Sequence, residues 1–270
     1  MPATPRSLPP QTAGLVRRFP SYPEVWSFEP SARWVRGIVD DVTVVDSRHQ
    51  ILVWEPRHKV PEYGFARGDV RTDLLVPGEP PAADRGFYRP RRPPAEWFDL
   101  RVGDRIVRHA AWRWDVPELA DYLGVNWFAG VLDRWLEEDE VVMTHPRDPF
   151  SRVDALPSSR HVVVSYRGRV LAESADTVIV YETGLPPRYY FPPEAVDLSA
   201  LEPSATWSEC PYKGYATRYW SLPASAGEPG ITDVAWSYAD PKPVLSVIAG
   251  RIAFFSERVD LVLDGVTASA

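Results

Sequence analysis

Apolar and polar positions along the chain alternate in short β-branched runs rather than in long helical stripes. Val42-Thr43-Val44-Val45-Asp46 and Gln50-Ile51-Leu52-Val53-Trp54 flank a polar break, which is how a hairpin reads. The arrangement returns as His161–Tyr166 and Arg169–Ala172 across Arg167-Gly168, followed by Thr177–Tyr181. Arg-Gly suits a two-residue turn because glycine takes positive φ without steric cost. Ile106-Val107-Arg108 and Ala110–Trp114 add two more strands; Ala235–Tyr238, Leu245–Ile248, Ile252–Phe255 and Val259–Leu263 close the chain, with a turn at Gly250. One stretch differs. Over Asn126–Glu140, residues Trp127, Phe128, Val131, Leu132, Trp135 and Leu136 fall on one face at helical spacing. Asn126 can cap that helix, and its acidic end opposes the helix dipole, so the spacing predicts a helix that frays there. Many short strands with Pro and Gly turns predict a mainly β fold of antiparallel sheets with one or two short helices.

The chain also says much the same thing twice. Ile51-Leu52-Val53-Trp54-Glu55 matches Val178-Ile179-Val180-Tyr181-Glu182; Pro61-x-Tyr63-x-Phe65 matches Pro187-x-Tyr189-x-Phe191 after a one-residue slip; Ala111–Trp114 answers Ala235–Tyr238. A period near half the chain length means a duplicated domain, because solenoid repeats run to about 20–50 residues. The expected division is a flexible arm over 1–30, held by Tyr22, Trp26 and Phe28, a first domain over 31–143, a linker over 144–159 and a second domain over 160–270. Residues 77–96 are proline-rich and predict a loop. Arg147, Asp148, Arg152 and Asp154 in the linker can form charge-assisted pairs between the domains.

Composition narrows the function classes. With 30 basic and 37 acidic residues the net charge is −7, which disfavours a nucleic-acid partner bound through phosphate neutralisation. The basic run Arg89-Pro90-Arg91-Arg92 reads as solvated surface. Cys210 is the one cysteine, so neither an internal disulfide nor a thiolate-rich zinc site can form. His49, His58, His109, His145 and His161 make no HxH or HxxxH pair, so no metal and no cofactor is expected. The N-terminal residues lack the apolar core of a signal peptide, and no stretch reaches the roughly 20 apolar residues of a membrane span. A cytoplasmic protein that binds neither membrane nor nucleic acid is expected, as a monomer or homodimer.

Four stretches carry a resemblance. GLPPRYYFPPEAV (184–196), CPYKGYA (210–216), DVAWSYADP (233–241) and GRIAFFSERVDLVLDG (250–265) resemble the DUF427 family, and LEEDEVVMTHPRDPFSRVDALPSSRHV (136–162) is similar to the linker of its two-copy bacterial members. The likeness runs from about Arg33 to Gly265. It implies compact antiparallel β domains, tent-like or small-barrel-like, with a pocket lined by these motifs. A nucleotidyltransferase-like activity fits the residues poorly, since no glycine-serine loop precedes paired aspartates of the kind a phosphate-and-magnesium mechanism wants.

Cys210-Pro211-Tyr212-Lys213-Gly214 is the sharpest candidate for chemistry. Pro211 restricts the backbone and Gly214 permits a tight turn, which can present a thiol and an ammonium together. Three readings stand: Cys210 as a nucleophile beside Lys213, Lys213 alone as an anion holder or Schiff-base lysine, or a buried thiol and a lysine paired with a carboxylate. Glu182 is a general base beside a pocket or, because Glu55 repeats it, a structural ion-pair partner. Arg188, replaced by Glu62 in the first copy, suits bidentate binding of a carboxylate or phosphate. Tyr189, Tyr190, Tyr212, Trp236 and Tyr238 wall a pocket or fill core. His161 reads as a strand histidine. The first copy lacks Cys-Pro-Tyr-Lys-Gly, so any chemistry of that motif belongs to the second.

The expectation is a small, anionic ligand in a pocket of the second domain, with Lys213, Glu182, Cys210 and Tyr190 as the reacting groups of a metal-free enzyme and Arg188, Tyr189, Tyr212, Trp236 and Tyr238 as ligand contacts. A non-catalytic sensor and a structural or interaction protein are the alternatives.

Overall fold

A computed structural model describes residues 24–81, 90, 92–127, 131–142, 144–224 and 229–268. One compact unit ends at Pro149 and the next begins at Phe150. The first contains β1 (Ser27–Pro30), β2 (Val35–Val39), β3 (Val42–Ser47), β4 (Ile51–Trp54), β5 (Glu62–Ala66), β6 (Leu75–Gly78), β7 (Glu96–Val102), β8 (Arg105–Arg113), β9 (Tyr122–Val125), β10 (Arg134–Glu137) and β11 (Glu140–Val142). The second contains β12 (Val153–Ser158), β13 (Val162–Tyr166), β14 (Arg169–Ser174), β15 (Thr177–Glu182), β16 (Arg188–Phe191), β17 (Glu202–Ser204), β18 (Ser208–Cys210), β19 (Gly214–Ala216), β20 (Arg218–Leu222), β21 (Ile231–Ser237), β22 (Ile252–Phe254), β23 (Asp260–Leu263) and β24 (Val266–Thr267). Helix among the described residues is limited to 3-10 segments, the longest Pro243–Ile248, and no helix is long and apolar enough to cross a membrane.

The duplication is topological as well as sequential. The first unit has a seven-stranded sheet ordered β1-β4-β5-β9-β8-β7-β6 and a four-stranded sheet ordered β11-β10-β2-β3. The second unit has β12-β15-β16-β22-β21-β20-β17 and β14-β13-β23-β24, the same plan strand for strand. Every pairing is antiparallel, and the sheets stay open rather than closing into a barrel. A register shift recurs at equivalent places, Gly37/Ile38 and Val164/Ser165. The two-residue turns also correspond: Asp40-Asp41 and Arg167-Gly168 all take positive φ, the conformation that matches the twist of a hairpin. The hairpin β18–β19 is added in the second unit. In the first unit the same interval, between β6 and β7, is the proline-rich stretch, and its residues 82–89 and 91 lie outside the described residues.

Alternation along each central strand explains why both faces of the long sheets are apolar. Leu52 and Trp54 join Tyr63, Phe65, Val35 and Trp135 in the core between the two sheets, while Ile51 and Val53 join Trp112 and Trp114 on the other face. In the second unit Ile179, Tyr189, Phe191, Ala235 and Phe254 pack against Val162, Leu171 and Leu261 of the smaller sheet; Val178, Val180, Tyr190, Trp236, Tyr238 and Ala253 pack outward with Leu245 and Ile248. Prolines mark the borders. Pro30, Pro77, Pro157 and Pro203 lie in β1, β6, β12 and β17, the four edge strands of the seven-stranded sheets, where a missing N–H is tolerated.

The helix expected over Asn126–Glu140 is not formed. Arg134–Glu137 and Glu140–Val142 are strands, and residues 128–130 lie outside the described residues. Trp127, Leu132 and Trp135 do share one core, but distant partners dictate an extended backbone. Trp135 pairs with Gly37, where a side chain would run into the Leu132 and Trp135 side chains at 2.8 Å. Trp135 also stacks on Trp127 at 4.1 Å between ring centroids. Buried Glu137 accepts from Tyr63 Oη at 3.0 Å, Arg33 Nη1 at 2.8 Å and Arg147 Nη2 at 3.2 Å. Such packing outweighs helical spacing and propensity, which are weak priors. The stretch expected as a linker contributes Val153–Ser158 to the second unit's sheet, and Ser27–Pro30 of the expected arm pairs with β4. Residues 1–23, Tyr22 among them, lie outside the described residues. Arg147 pairs with Glu137 and Glu140, and Arg152 with Asp154, each within one unit.

The units differ at one central pair. Trp112 pairs with Gly124, where its equivalent Trp236 pairs with Ala253. A Cβ on Gly124 would lie 2.2 Å from Trp112 Cε2, so the indole rests on bare backbone. Gly124→Ala is expected to destabilise the first unit by about 1–3 kcal/mol through overpacking, read as a lower urea midpoint. Ala253→Gly should cost only about 1 kcal/mol, from added chain entropy.

Candidate functional site

The candidate site forms on the outer face of the second unit's long sheet. Strand period puts Val178, Val180 and Glu182 of β15 on that face. Val178 pairs with Tyr190 and Val180 with Arg188, so these two also point outward. Tyr189, one residue from Tyr190, points into the core between the sheets and is separated from the site by the sheet itself. Trp236 of β21 and Tyr238 just after it complete the aromatic floor.

The hairpin β18–β19 supplies the reactive groups. Cys210 pairs with Gly214 across a three-residue loop, Pro211-Tyr212-Lys213. Gly214 has φ +98°, a value that L side chains avoid. Its backbone bridges to Pro241, and Lys242 N donates to Lys213 O at 3.0 Å, which pins the loop. Lys213 Nζ then reaches Glu182 Oε2 at 2.5 Å, with the side chains only 13% and 12% exposed. The Cys210 side chain lies near the same ammonium. Burial works to lower the Lys213 pKa, but Cys210 and Glu182 outweigh it and hold the amine above its usual value. A Schiff-base lysine must be neutral to attack, so this lysine is arranged as a fixed cation instead.

The phenols around it are kept neutral. Tyr190 is fully buried and accepts from Trp236 Nε1 at 3.2 Å. Burial holds its pKa well above the tyrosine norm, and nearby Cys210 and Glu182 add to this. Tyr238 is raised likewise by burial, then by Tyr190 and Cys210. Tyr219 Oη lies 2.6 Å from Ser208 Oγ. Tyr212, on the hairpin loop, is half-buried.

Arg188 is committed elsewhere on the same face. Its Nη1 donates to Ser256 Oγ at 2.8 Å and Glu257 Oε2 at 2.7 Å, and its Nη2 to Glu257 Oε1 at 2.5 Å. The guanidinium lies over Phe255 and Trp236 at 5.6 and 5.9 Å. Hydrogen bonds from Arg188 hold the Glu257 carboxyl below its ordinary pKa. The structure thus gathers Glu182, Tyr190, Cys210, Lys213, Trp236 and Tyr238, with Arg188 at the rim, and leaves Tyr189 on the other face. Ser256 and Glu257 were not anticipated; the available signal was the unanswered charge of Arg188 itself. His161 Nε2 lies 2.9 Å from Glu173, on exposed surface. Among the described residues, no three His, Cys, Asp or Glu side chains converge as a metal site would need.

The motifs that build this site are those of a recognised family. A model described as a domain of unknown function (DUF427) matches residues 27–138 and again 154–265. The chain belongs to the DUF427 family. No curated protein matches it. The two matches begin at the edge strands β1 and β12, so each DUF427 copy includes the strand that borders its long sheet.

The first DUF427 copy has no lysine hairpin among its described residues. Glu55, the counterpart of Glu182, is buried and accepts from Arg92 N at 3.1 Å. Glu62 takes the place of Arg188, pairing with Val53 as Arg188 pairs with Val180. Burial, then the Glu55 charge, pushes the Glu62 carboxyl well above its usual range.

Two outcomes follow. Lys213→Met strands the Glu182 carboxylate and should cost up to about 3 kcal/mol, with Glu182→Met costing a similar amount; the double variant should recover much of the loss, since replacing a whole buried pair is often close to neutral. Urea midpoints of the four proteins complete the cycle. For Glu62 the folded-state pKa is raised, so the folded chain binds the proton more tightly than the unfolded one. Its stabilising effect is full below about pH 4.3 and fades as pH rises toward the raised value. Glu62→Gln should therefore flatten the fall of stability with pH above that point, measured as urea midpoints from pH 4 upward.

Proposed function

We propose that the second unit binds an anionic small molecule at Lys213, and that this is the working site of the protein. The observation that carries the reading is the buried ammonium of Lys213, held by the Glu182 carboxylate with Cys210 nearby. A largely buried cation pays a desolvation cost that a structural role alone could avoid with apolar residues. In this reading Glu182 holds the lysine in place until the ligand's carboxylate or phosphate shares it. Tyr190 and Tyr238, kept neutral, offer hydroxyls from the floor. Arg188, clamped by Glu257, shapes the rim rather than meeting the ligand first. The net charge of −7 supports a small ligand over nucleic acid, and a lone thiol suits the reducing cytoplasm.

A second reading, in which the site also reacts, is favoured by the nearness of Cys210 to the Lys213 ammonium. Cys210, its proton given up to solvent, is then the thiolate nucleophile, the Lys213 ammonium offsets its negative charge, and Glu182 positions the lysine.

Native mass spectrometry of protein purified from its own host tests the binding reading. A co-purifying small molecule is expected on the wild type, retained in Cys210→Ala and lost in Lys213→Ala. Lys213→Arg, which keeps the charge, should hold it in part and guards against misfolding of the alanine variant. A bare wild-type mass, or a ligand that survives Lys213→Ala, overturns the assignment. Loss on Cys210→Ala as well would move the weight to the thiol reading.

A further inference from the structure

The duplication lets the two outer faces be compared position by position. Glu62 stands for Arg188, Gly64 for Tyr190 and Trp112 for Trp236. In the second unit the arginine is answered by Glu257 and Ser256. In the first unit Oε2 of Glu62 is buried and has no hydrogen-bond partner among the described residues. Beside it lies a cavity of about 10 Å3, lined by His58, Glu62, Tyr63, Trp112, Trp127 and His145 among others. Two of those walls are indoles, 1% and 4% exposed. Both Trp112 Nε1 and Trp127 Nε1 also lack a hydrogen-bond partner among the described residues. At least three unanswered polar atoms thus belong to residues around one small void.

We infer that this cavity of the first unit is a binding site for one water-sized hydrogen-bonding molecule, held by the Glu62 carboxyl and the indole N–H groups of Trp112 and Trp127. Buried polar groups in folded proteins are almost always paired, with protein or with ordered water. A volume of this size is just enough for one water, and a water in such a place makes about three hydrogen bonds. Two N–H donors repel a bare cation, and a bare anion cannot donate to an accepting carboxyl oxygen; water, with two protons and two lone pairs, satisfies both. The first unit therefore keeps a small, neutral, polar site where the second keeps a charged one. The occupant solvates a carboxyl that replaces an arginine and makes no ion pair among the described residues. This inference is independent of the ligand reading for Lys213.

A high-resolution crystal structure of the full chain tests it, with parallel crystals under xenon and in bromide or thallium. One solvent peak is expected in the wild type, within hydrogen-bond distance of a Glu62 carboxyl oxygen and at least one of the two indole nitrogens, with no xenon bound. Glu62→Gln should keep the peak, and Trp127→Phe, which removes a donor but keeps most of the ring, should weaken or abolish it. An empty pocket, xenon in the pocket, or an anomalous peak from bromide or thallium there overturns the inference. So does a peak unchanged in Trp127→Phe. The wild-type crystals decide the main point even where a variant fails to fold.

Discussion

The arrangement rests on one constraint: the long sheet of each unit is buried on both faces, and neighbouring residues along a strand go to opposite faces. That constraint separates stability from chemistry. The face toward the four-stranded sheet is apolar, with Ile179, Phe191 and Phe254 meeting Val162 and Leu261. The outer face is apolar as well, but in the second unit it also carries the Lys213, Glu182 and Arg188 charges beside the Tyr190 and Tyr238 phenols. Tyr189 and Tyr190 are adjacent in sequence yet serve different faces. A shift of one residue in β16 would exchange them and dismantle the site, which is why register is strongly specified in such strands.

On that outer face, charge is placed in pairs of different kinds. Lys213 and Arg188 each meet a carboxylate, but from different origins: Glu182 extends from the sheet, while Glu257 follows the short strand β22. The lysine is delivered by a hairpin pinned through Gly214 and Lys242, the arginine by the sheet itself. The lysine is therefore the group with an independent support, one that can vary without disturbing the β15–β16 pairing. The first unit shows the same sheet surviving without a lysine hairpin among its described residues and with a glutamate in place of the arginine.

Much of this was legible in the residues. The repeated Ile-Leu-Val-Trp-Glu and Pro-x-Tyr-x-Phe segments announced two copies, and the β-branched runs announced antiparallel sheets. The Cys-Pro-Tyr-Lys-Gly motif pointed to a turn that presents Cys210 and Lys213 together, and Glu182 was already a candidate. What was hidden depended on distant partners. The helical spacing of Trp127, Leu132 and Trp135 marked burial correctly but not backbone shape, because Gly37 on another strand decides that shape. Arg188 looked available as a ligand contact because its partner, Glu257, lies 69 residues away. The division between Tyr189 and Tyr190 needs the phase of the strand, which two adjacent tyrosines conceal.

The prolines at the four sheet borders have a consequence for assembly. An exposed edge strand is an open template on which another chain can add a strand. Each long sheet here ends, on both sides, in a strand interrupted by a residue that cannot donate a backbone hydrogen bond. Growth of these sheets by docking a peptide or a second copy edge to edge is accordingly disfavoured. Four of the 29 prolines thus act as guards against edge-to-edge pairing of the two long sheets.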